Sequence, residues 1–340
     1  MSELATGPGS DRPRLRADAV LTFHAIDEPV PGHAWRERFE ALWPAYQAWF
    51  LRDGDAARPD YRLARWMLTR NMPEIVPAWE HMVDLAGGGD LAARMLALFD
   101  PPPLVAGCSQ LAIGGERPLL VRNYDFDPGK LEGVVLATAL TGRRVMGTSD
   151  CLWGLLDGVN QPGLAVSLAF GGSRRLGTGF GISIVLRYLL ETCATTAEAV
   201  AVLARLPIQA AYNLTLVDAE GEAVTVFVGP DRAPAVRRPA IATNHQETPE
   251  WAEHEAATRS LERAARLDDL IAAREDEARL AGAFLEPPLY TTLYARGFGT
   301  LYTAVHRPAE RTVEYRWPGQ TWQLALDAFE EGSRTVSLGG

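Results

Sequence analysis

Gly107-Cys108 places a thiol directly after the residue with the freest backbone, a pairing at which a chain can cut itself. For the sulfur to reach the preceding carbonyl carbon the backbone must distort, and glycine permits that without a steric penalty. Once the bond before Cys108 is cut, the new N-terminus carries a nucleophile and a base on one residue. An α-amino group titrates at roughly 7.7–8.0 and a free thiol near about 8.5, so the amine is partly unprotonated at neutral pH and can act as general base. The same dipeptide also reads as an ordinary buried cysteine after a turn.

Arg122-Asn123-Tyr124-Asp125 follows within one hairpin length, Asp125 coming 17 residues after Cys108. An acid there can stabilise the ammonium form of a Cys108 N-terminus, and Arg122 can hold that acid or a substrate carboxylate. A surface salt bridge on a hairpin is the other reading. Further on, Asn244 in Thr243-Asn244-His245 ends an apolar segment, where its amide can donate to an oxyanion or simply cap a turn. A papain-like dyad of Cys108 with His245 would need a helix N-terminus at the cysteine, and the residues after Cys108 are strand-like. Gly177-Thr178-Gly179-Phe180-Gly181 lacks the Lys-Ser/Thr of a phosphate loop and reads as a flexible helix entry.

The elements that must position these residues fall into two sections. Residues 1–14 read as a loose tail. Arg36–Leu51, with Phe39, Leu42, Trp43, Tyr46 and Phe50 at helical spacing, and segments near 60–70 and 89–99 make a mainly helical section closed by Asp100-Pro101-Pro102-Pro103. After Cys108 come strands at Leu119–Asn123, Gly133–Ala139, Leu164–Ala169, Asn213–Asp218 and Ala223–Val228, with a turn at Asp218–Gly221. Two helices intervene, one carrying the Ile182, Val185, Leu186, Leu189, Leu190 stripe and one capped by Thr195 and Glu198. Residues 253–278 read as one charged helix, and Thr300–Val305 with Thr312–Trp317 as a closing hairpin. Helices between runs of strands suit stacked antiparallel sheets covered by helices, an α+β architecture.

The chain has 340 residues, 47% of them hydrophobic, which fits a globular core. Its net charge of −10 argues against nucleic acid or an anionic membrane as partner. Cys108, Cys151 and Cys193 have neither zinc-ligand nor thioredoxin spacing, so no metal site and no disulfide framework is expected. No signal peptide or long apolar run is visible, and a cytoplasmic location is the default expectation. Trp35, Trp43, Phe50 and Trp66 could line an acyl pocket, although aromatics at helical spacing are usually core.

In this order, Gly107-Cys108, Arg122-Asn123-Tyr124-Asp125, Asp157-Gly158-Val159-Asn160-Gln161-Pro162-Gly163-Leu164-Ala165, Tyr212-Asn213-Leu214, Thr243-Asn244-His245 and Thr300–Val305 resemble the landmarks of a family. It is that of the N-terminal-nucleophile hydrolases related to penicillin acyl-coenzyme A acyltransferase, with choloylglycine hydrolases and acid ceramidases as kin. The resemblance spans roughly residues 60–320. It implies a four-layer αββα sandwich, a helical pro-segment or α chain over 1–107, and a catalytic β chain over 108–340, cut at Gly107-Cys108. The implied activity is C–N amide hydrolysis or acyl-coenzyme A-dependent N-acyl transfer through a thioester, without a cofactor. The substrate would be a small amide or acyl thioester, the two cleavage products would stay associated, and a homo-oligomer is compatible.

By motif, Cys108 is the implied nucleophile, Arg122 and Asp125 its supports and Asn244 the oxyanion donor. Asn123, Tyr124, Asn160, Asn213 and His245 are secondary candidates; Asn160 can also serve only to shape the Asp157–Gly163 turn, and Asn213 only to cap a strand. The family's threonine after the cysteine is Ser109 here. Its late arginine matches either Arg259, after Thr258, or Arg263, three residues after Ser260. A non-catalytic small-molecule-binding protein that kept the fold is the rival reading, separated by whether Cys108 becomes an N-terminus.

Overall fold

The computed structural model describes residues 19–230 and 232–339, so the tail expected over residues 1–14 lies outside the described residues. Strand β1 (Ala19–Asp27) leads into helices α1 (His33–Phe50), α2 (Tyr61–Asn71), α3 (Val76–Leu85) and α4 (Asp90–Leu96). The proline run then delivers the chain into β2 (Gly107–Ile113) and β3 (Leu119–Phe126). A meander follows, β4 (Val134–Thr138), β5 (Val145–Asp150), β6 (Gly154–Asn160) and β7 (Ala165–Phe170). Next come α5 (Ile182–Thr192) and α6 (Thr196–Leu203), then β8 (Tyr212–Val217), β9 (Ala223–Gly229), β10 (Arg232–Arg237) and the short β11 (Ile241–Ala242). Helices α7 (Ala252–Thr258), α8 (Ser260–Ala273) and α9 (Glu277–Ala283) precede β12 (Gly299–Arg307), β13 (Thr312–Trp317), β14 (Gln320–Ala325) and β15 (Gly332–Leu338).

The strands make two sheets, β10-β9-β8-β7-β6-β5-β4-β1-β15 and β11-β2-β3-β12-β13-β14. Strand β2 faces β7 and β8 across the interior, α5 and α6 cover the nine-stranded sheet, and α8 and α9 cover the six-stranded one. The four layers are therefore helix, sheet, sheet, helix, as expected. One apolar core fills the space between and around the sheets; a second, built on Leu111, Val121, Leu267, Leu270, Leu280 and Phe284, joins the six-stranded sheet to α8 and α9. Because side chains alternate along a strand, each residue of β2 and β3 points either between the sheets or toward α8 and α9.

Two expectations need correction and a third gains an element. The section before the proline run is mainly helical, as expected, but its described residues begin with a strand. Strand β1 alternates, putting Phe23 and Ala25 in the core, and it lies between β15 (antiparallel) and β4 (parallel), so the N-terminal section is a structural member of the larger sheet. The charged segment 253–278 is not one helix: Arg259 and Arg274 adopt left-handed backbone (φ 52° and 51°) and divide it into α7, α8 and α9. Asp157–Asn160 is strand rather than turn; the reversal comes at Gln161–Gly163, where Gly163 has φ +93°. Among the described residues no helix is long and apolar enough to cross a membrane, and no cluster of three or more His, Cys, Asp or Glu could hold a metal ion.

Candidate active site

Cys108 stands opposite Tyr124 in the β2–β3 ladder, so both side chains, with Arg122, face the gap between the sheets. It is wholly buried, and each of its polar groups is held by a side chain. Its N–H donates to Asn244 Oδ1 (2.9 Å), its carbonyl accepts from Arg263 Nη1, and Arg122 Nη2 lies 3.2 Å from Sγ. Burial pushes the thiol pKa up; Arg122 and Arg263 pull it down, and the Asp125 charge adds to the rise. The net direction is upward, which keeps the sulfur neutral in the uncut chain.

Asn244 reaches this point because β11 pairs with β2 through Ile241–Leu111 and Ala242–Gln110, so the chain leaving β11 passes beside Cys108. Its Nδ2 donates to Ala106 O (2.9 Å) and Phe170 O (3.1 Å). The loop is clamped on both sides. Asn213 Nδ2 donates to Thr243 O and to His245 O (2.9 Å each), while Ser260 Oγ accepts the Asn244 N–H (2.7 Å). Asn213 thus supports Asn244 from β8 rather than capping a strand.

Of the two candidate arginines, Arg263 is the one the structure places against Cys108. It is buried and donates to Ser109 Oγ (2.9 Å), Asn244 Oδ1 (2.6 Å) and Thr258 O (2.7 Å) besides the Cys108 carbonyl. Arg259 is exposed and pairs with Glu262. The left-handed turn at Arg259, which sequence patterning did not reveal, ends α7 and lets α8 start in the direction that points Arg263 inward.

Asp125 is buried on the opposite face of β3 from Arg122, so neither the expected Arg122–Asp125 partnership nor a surface salt bridge is formed. Its carboxylate accepts from Thr300 Oγ1 (2.7 Å) and lies 3.8 Å from Arg263, and it sits opposite Gly107 in the ladder. Burial raises its pKa against the lowering pull of Arg263. The acid that Arg122 does hold is Asp157, at 2.8 Å. No local spacing could have signalled it, because the two residues belong to different sheets.

The other candidates are mostly scaffolding. Asn123 is buried on the α9 side of β3, donating to Phe284 O and Leu289 O and accepting from Thr303 Oγ1. Asn160 ties its turn to α5 through Leu190 O, Cys193 O and the Leu164 N–H. Tyr124 packs under Arg122, whose Cζ is 4.9 Å from its ring centre. His245 does not form a dyad with Cys108: its Nδ1 is 2.8 Å from Ser260 Oγ and 3.2 Å from Thr243 Oγ1, and Cys108 lies in a strand, not at a helix N-terminus. Gly177–Gly181 enters α5 with Gly181 at its N-cap, and the strands flanking the two helices, β7 and β8, pair antiparallel, so no phosphate-loop context exists.

A cleft lies on the Phe126 side of this arrangement. Its walls include Tyr46 and Trp49 of α1, the Pro101–Val105 linker, Phe126, Ile182 and Tyr212. None of the four aromatics expected at an acyl pocket lines the cleft: Trp35 and Phe50 are core, Trp43 is half-buried against the core and Trp66 is 53% exposed, while Tyr46 and Trp49 supply the aromatic wall from α1.

In overall shape the chain is similar to solved structures at low identity. A mutant conjugated bile acid hydrolase from Clostridium perfringens matches at TM-score 0.46 and 13% identity, over 67% of this chain and 96% of that one. An N-acylethanolamine-hydrolyzing acid amidase orthologue from Caenorhabditis elegans matches at 0.45 and 19%, over 59% and 93%. Penicillin V acylase from Agrobacterium tumefaciens matches at 0.42 and 15%, over 66% and 90%. No curated protein matches the sequence. The sequence profile of one family matches residues 113–322, beginning just after Cys108 and taking in Arg122, Asp125, Asn244 and Arg263. By that match the chain belongs to the acyl-coenzyme A:6-aminopenicillanic acid acyl-transferase family.

Proposed function

We propose that this protein is a self-processing N-terminal-nucleophile enzyme that hydrolyses or forms a linear amide through a thioester on Cys108. The observation that carries the reading is the grip on Cys108, whose N–H, carbonyl and sulfur are each held by a buried polar side chain. An ordinary core cysteine needs none of these. Family membership supplies the reaction class, acyl transfer.

In the maturation step Cys108 Sγ attacks the Gly107 carbonyl carbon. The C–N bond breaks as the C–S bond forms, the amine takes the thiol proton, and water hydrolyses the thioester to leave a Gly107 carboxylate. In turnover the freed amine accepts the thiol proton, the thiolate attacks the substrate carbonyl, and the amine returns the proton to the leaving nitrogen. Asn244 Nδ2, occupied by Ala106 O in the uncut chain, becomes a donor for the oxyanion once Ala106 is no longer tethered to Cys108. Water or an incoming amine then takes the acyl group.

The segments 1–107 and 108–340 are the two products, and the pairing of β1 with β4 and β15 keeps them together. The cleft walls from α1 and the linker favour an apolar acyl group. Intact-mass measurement of the wild type beside Cys108→Ala tests the reading. Two fragments split at Gly107/Cys108 in the wild type, against one full-length chain in the variant, are expected; a wild type that stays one inert chain would favour the binding-protein reading.

A further inference from the structure

The Arg122–Asp157 ion pair bridges the two sheets, from β3 to β6, with both side chains wholly buried. Arg122 Nη1 donates to Asp157 Oδ2 (2.8 Å) and to Leu156 O (2.6 Å). Asp157 also accepts from Tyr302 OH (2.6 Å) and Thr148 Oγ1 (3.0 Å), and His306 Nε2 lies 3.3 Å from its Oδ1. Burial alone would raise the Asp157 pKa, but His306 and the Arg122 charge outweigh it and hold the carboxyl down at about 2.

Burying two opposite charges costs several kcal/mol per ion, and apolar side chains of similar volume are often as stable, so such a pair is weak evidence for stability alone. Its geometry has a different consequence. A guanidinium is a rigid planar fork; once Nη1 is committed to Asp157 and Leu156 O, the place of Nη2 is settled. Nη2 is the atom 3.2 Å from Cys108 Sγ.

We infer that Asp157 is the positioning residue for Arg122, holding Nη2 against Cys108 Sγ so that negative charge developing on the sulfur meets a fixed cation. The inference rests on Cys108 being the nucleophile. Asp157 itself acts only through Arg122. The charged and titratable groups facing Cys108 are Arg122 and Tyr124 from β3, Asp125 from the other face of β3, and Arg263 from α8. Those facing Asp157 are Arg122, Tyr302 and His306 from β12, and Tyr315 from β13.

The test titrates the Cys108 thiolate by its ultraviolet absorbance, taken as the difference from Cys108→Ser, in the wild type, Asp157→Asn and Asp157→Ala, alongside the rate of self-cleavage. Asparagine keeps an oxygen for Nη1 but removes the negative charge that offsets Arg122. Its thiolate midpoint moves to lower pH and its cleavage rate stays within a few-fold. Alanine removes the acceptor as well and frees the guanidinium, so cleavage slows by on the order of 10²-fold and the midpoint lies above that of the asparagine variant. Equal midpoints in all three proteins, or equal cleavage by the asparagine and alanine variants, would overturn the inference. A wild type that never cleaves counts against the proposed function instead, and the titration still decides the role of Asp157 because it reads the thiol in either state.

Discussion

Arg263 Nη2 lies 2.6 Å from Asn244 Oδ1, and that one contact decides which way the Asn244 amide points. With Oδ1 taken by Arg263 and by the Cys108 N–H, Nδ2 must face the carbonyls of Ala106 and Phe170, the direction from which an oxyanion would be met. Asn244→Asp keeps the acceptor and removes the donor, so turnover by the cut enzyme should fall by about 10²–10³, the usual effect of losing one oxyanion donor. Arg263→Lys cannot bridge the Cys108 carbonyl, Ser109, Asn244 and Thr258 O with a single ammonium, and it should lower kcat with little change in KM. Rates of both variants equal to the wild type would remove Asn244 from the mechanism.

Gly107 lies in strand β2 without a left-handed φ, so it is space that requires glycine there. A Cβ built there would intrude on the Phe298 ring and touch the Asp125 side chain. Gly107→Ala should therefore slow self-cleavage and lower the melting temperature, and Phe298→Ala added to it should restore much of both. Time courses of cleavage followed by mass would show the rescue; a double variant no better than Gly107→Ala would place the obstruction at Asp125.

What was legible in the sequence had a local cause. Cys108 and Arg122 sit in short motifs within strands and Asn244 in one just after a strand, and turn residues bound these segments. The same local view misled where the answer depended on distant packing. Asp157 looked like part of a turn because Gly158 and the Asn160-Gln161-Pro162-Gly163 run follow it, yet its partner comes from the other sheet. Closeness in sequence pairs Asp125 with Arg122, although residues three apart on a strand face opposite ways. Strand β1 was hidden in a helical section because its neighbours, β4 and β15, are far away along the chain.

Asn213 illustrates a role that no motif states. Its amide donates to the carbonyls on both sides of Asn244, and leaving either buried carbonyl without a donor costs about 1–3 kcal/mol. Asn213→Leu should lower stability by that order and loosen the Thr243–His245 loop, reducing kcat further than stability alone explains. Hydrogen exchange at the Asn244 amide, now shielded by Ser260 Oγ, would report the loosening. Unchanged exchange in a destabilised variant would mean that Ser260 alone holds the loop.

Asp150 gives the fold a distinctive pH dependence. Burial, helped by the nearby Glu132 charge, raises its pKa to about 7, against an unfolded value near about 3.9. Between those two values the folded chain binds the extra proton, so stability falls as pH rises through that window, and the full penalty is present above about 7. Asparagine at this position carries no charge to bury. The melting temperature of Asp150→Asn minus that of the wild type should therefore increase by a few degrees from pH ~4 to pH ~8, and common contributions from other groups cancel in the difference. Asp150 lies at the cleft and accepts hydrogen bonds from Cys151 and from Ser183 in the first turn of α5. If the two proteins instead melt in parallel across this range, the carboxylate is ionised without penalty and the cleft is already open to water in the uncut chain.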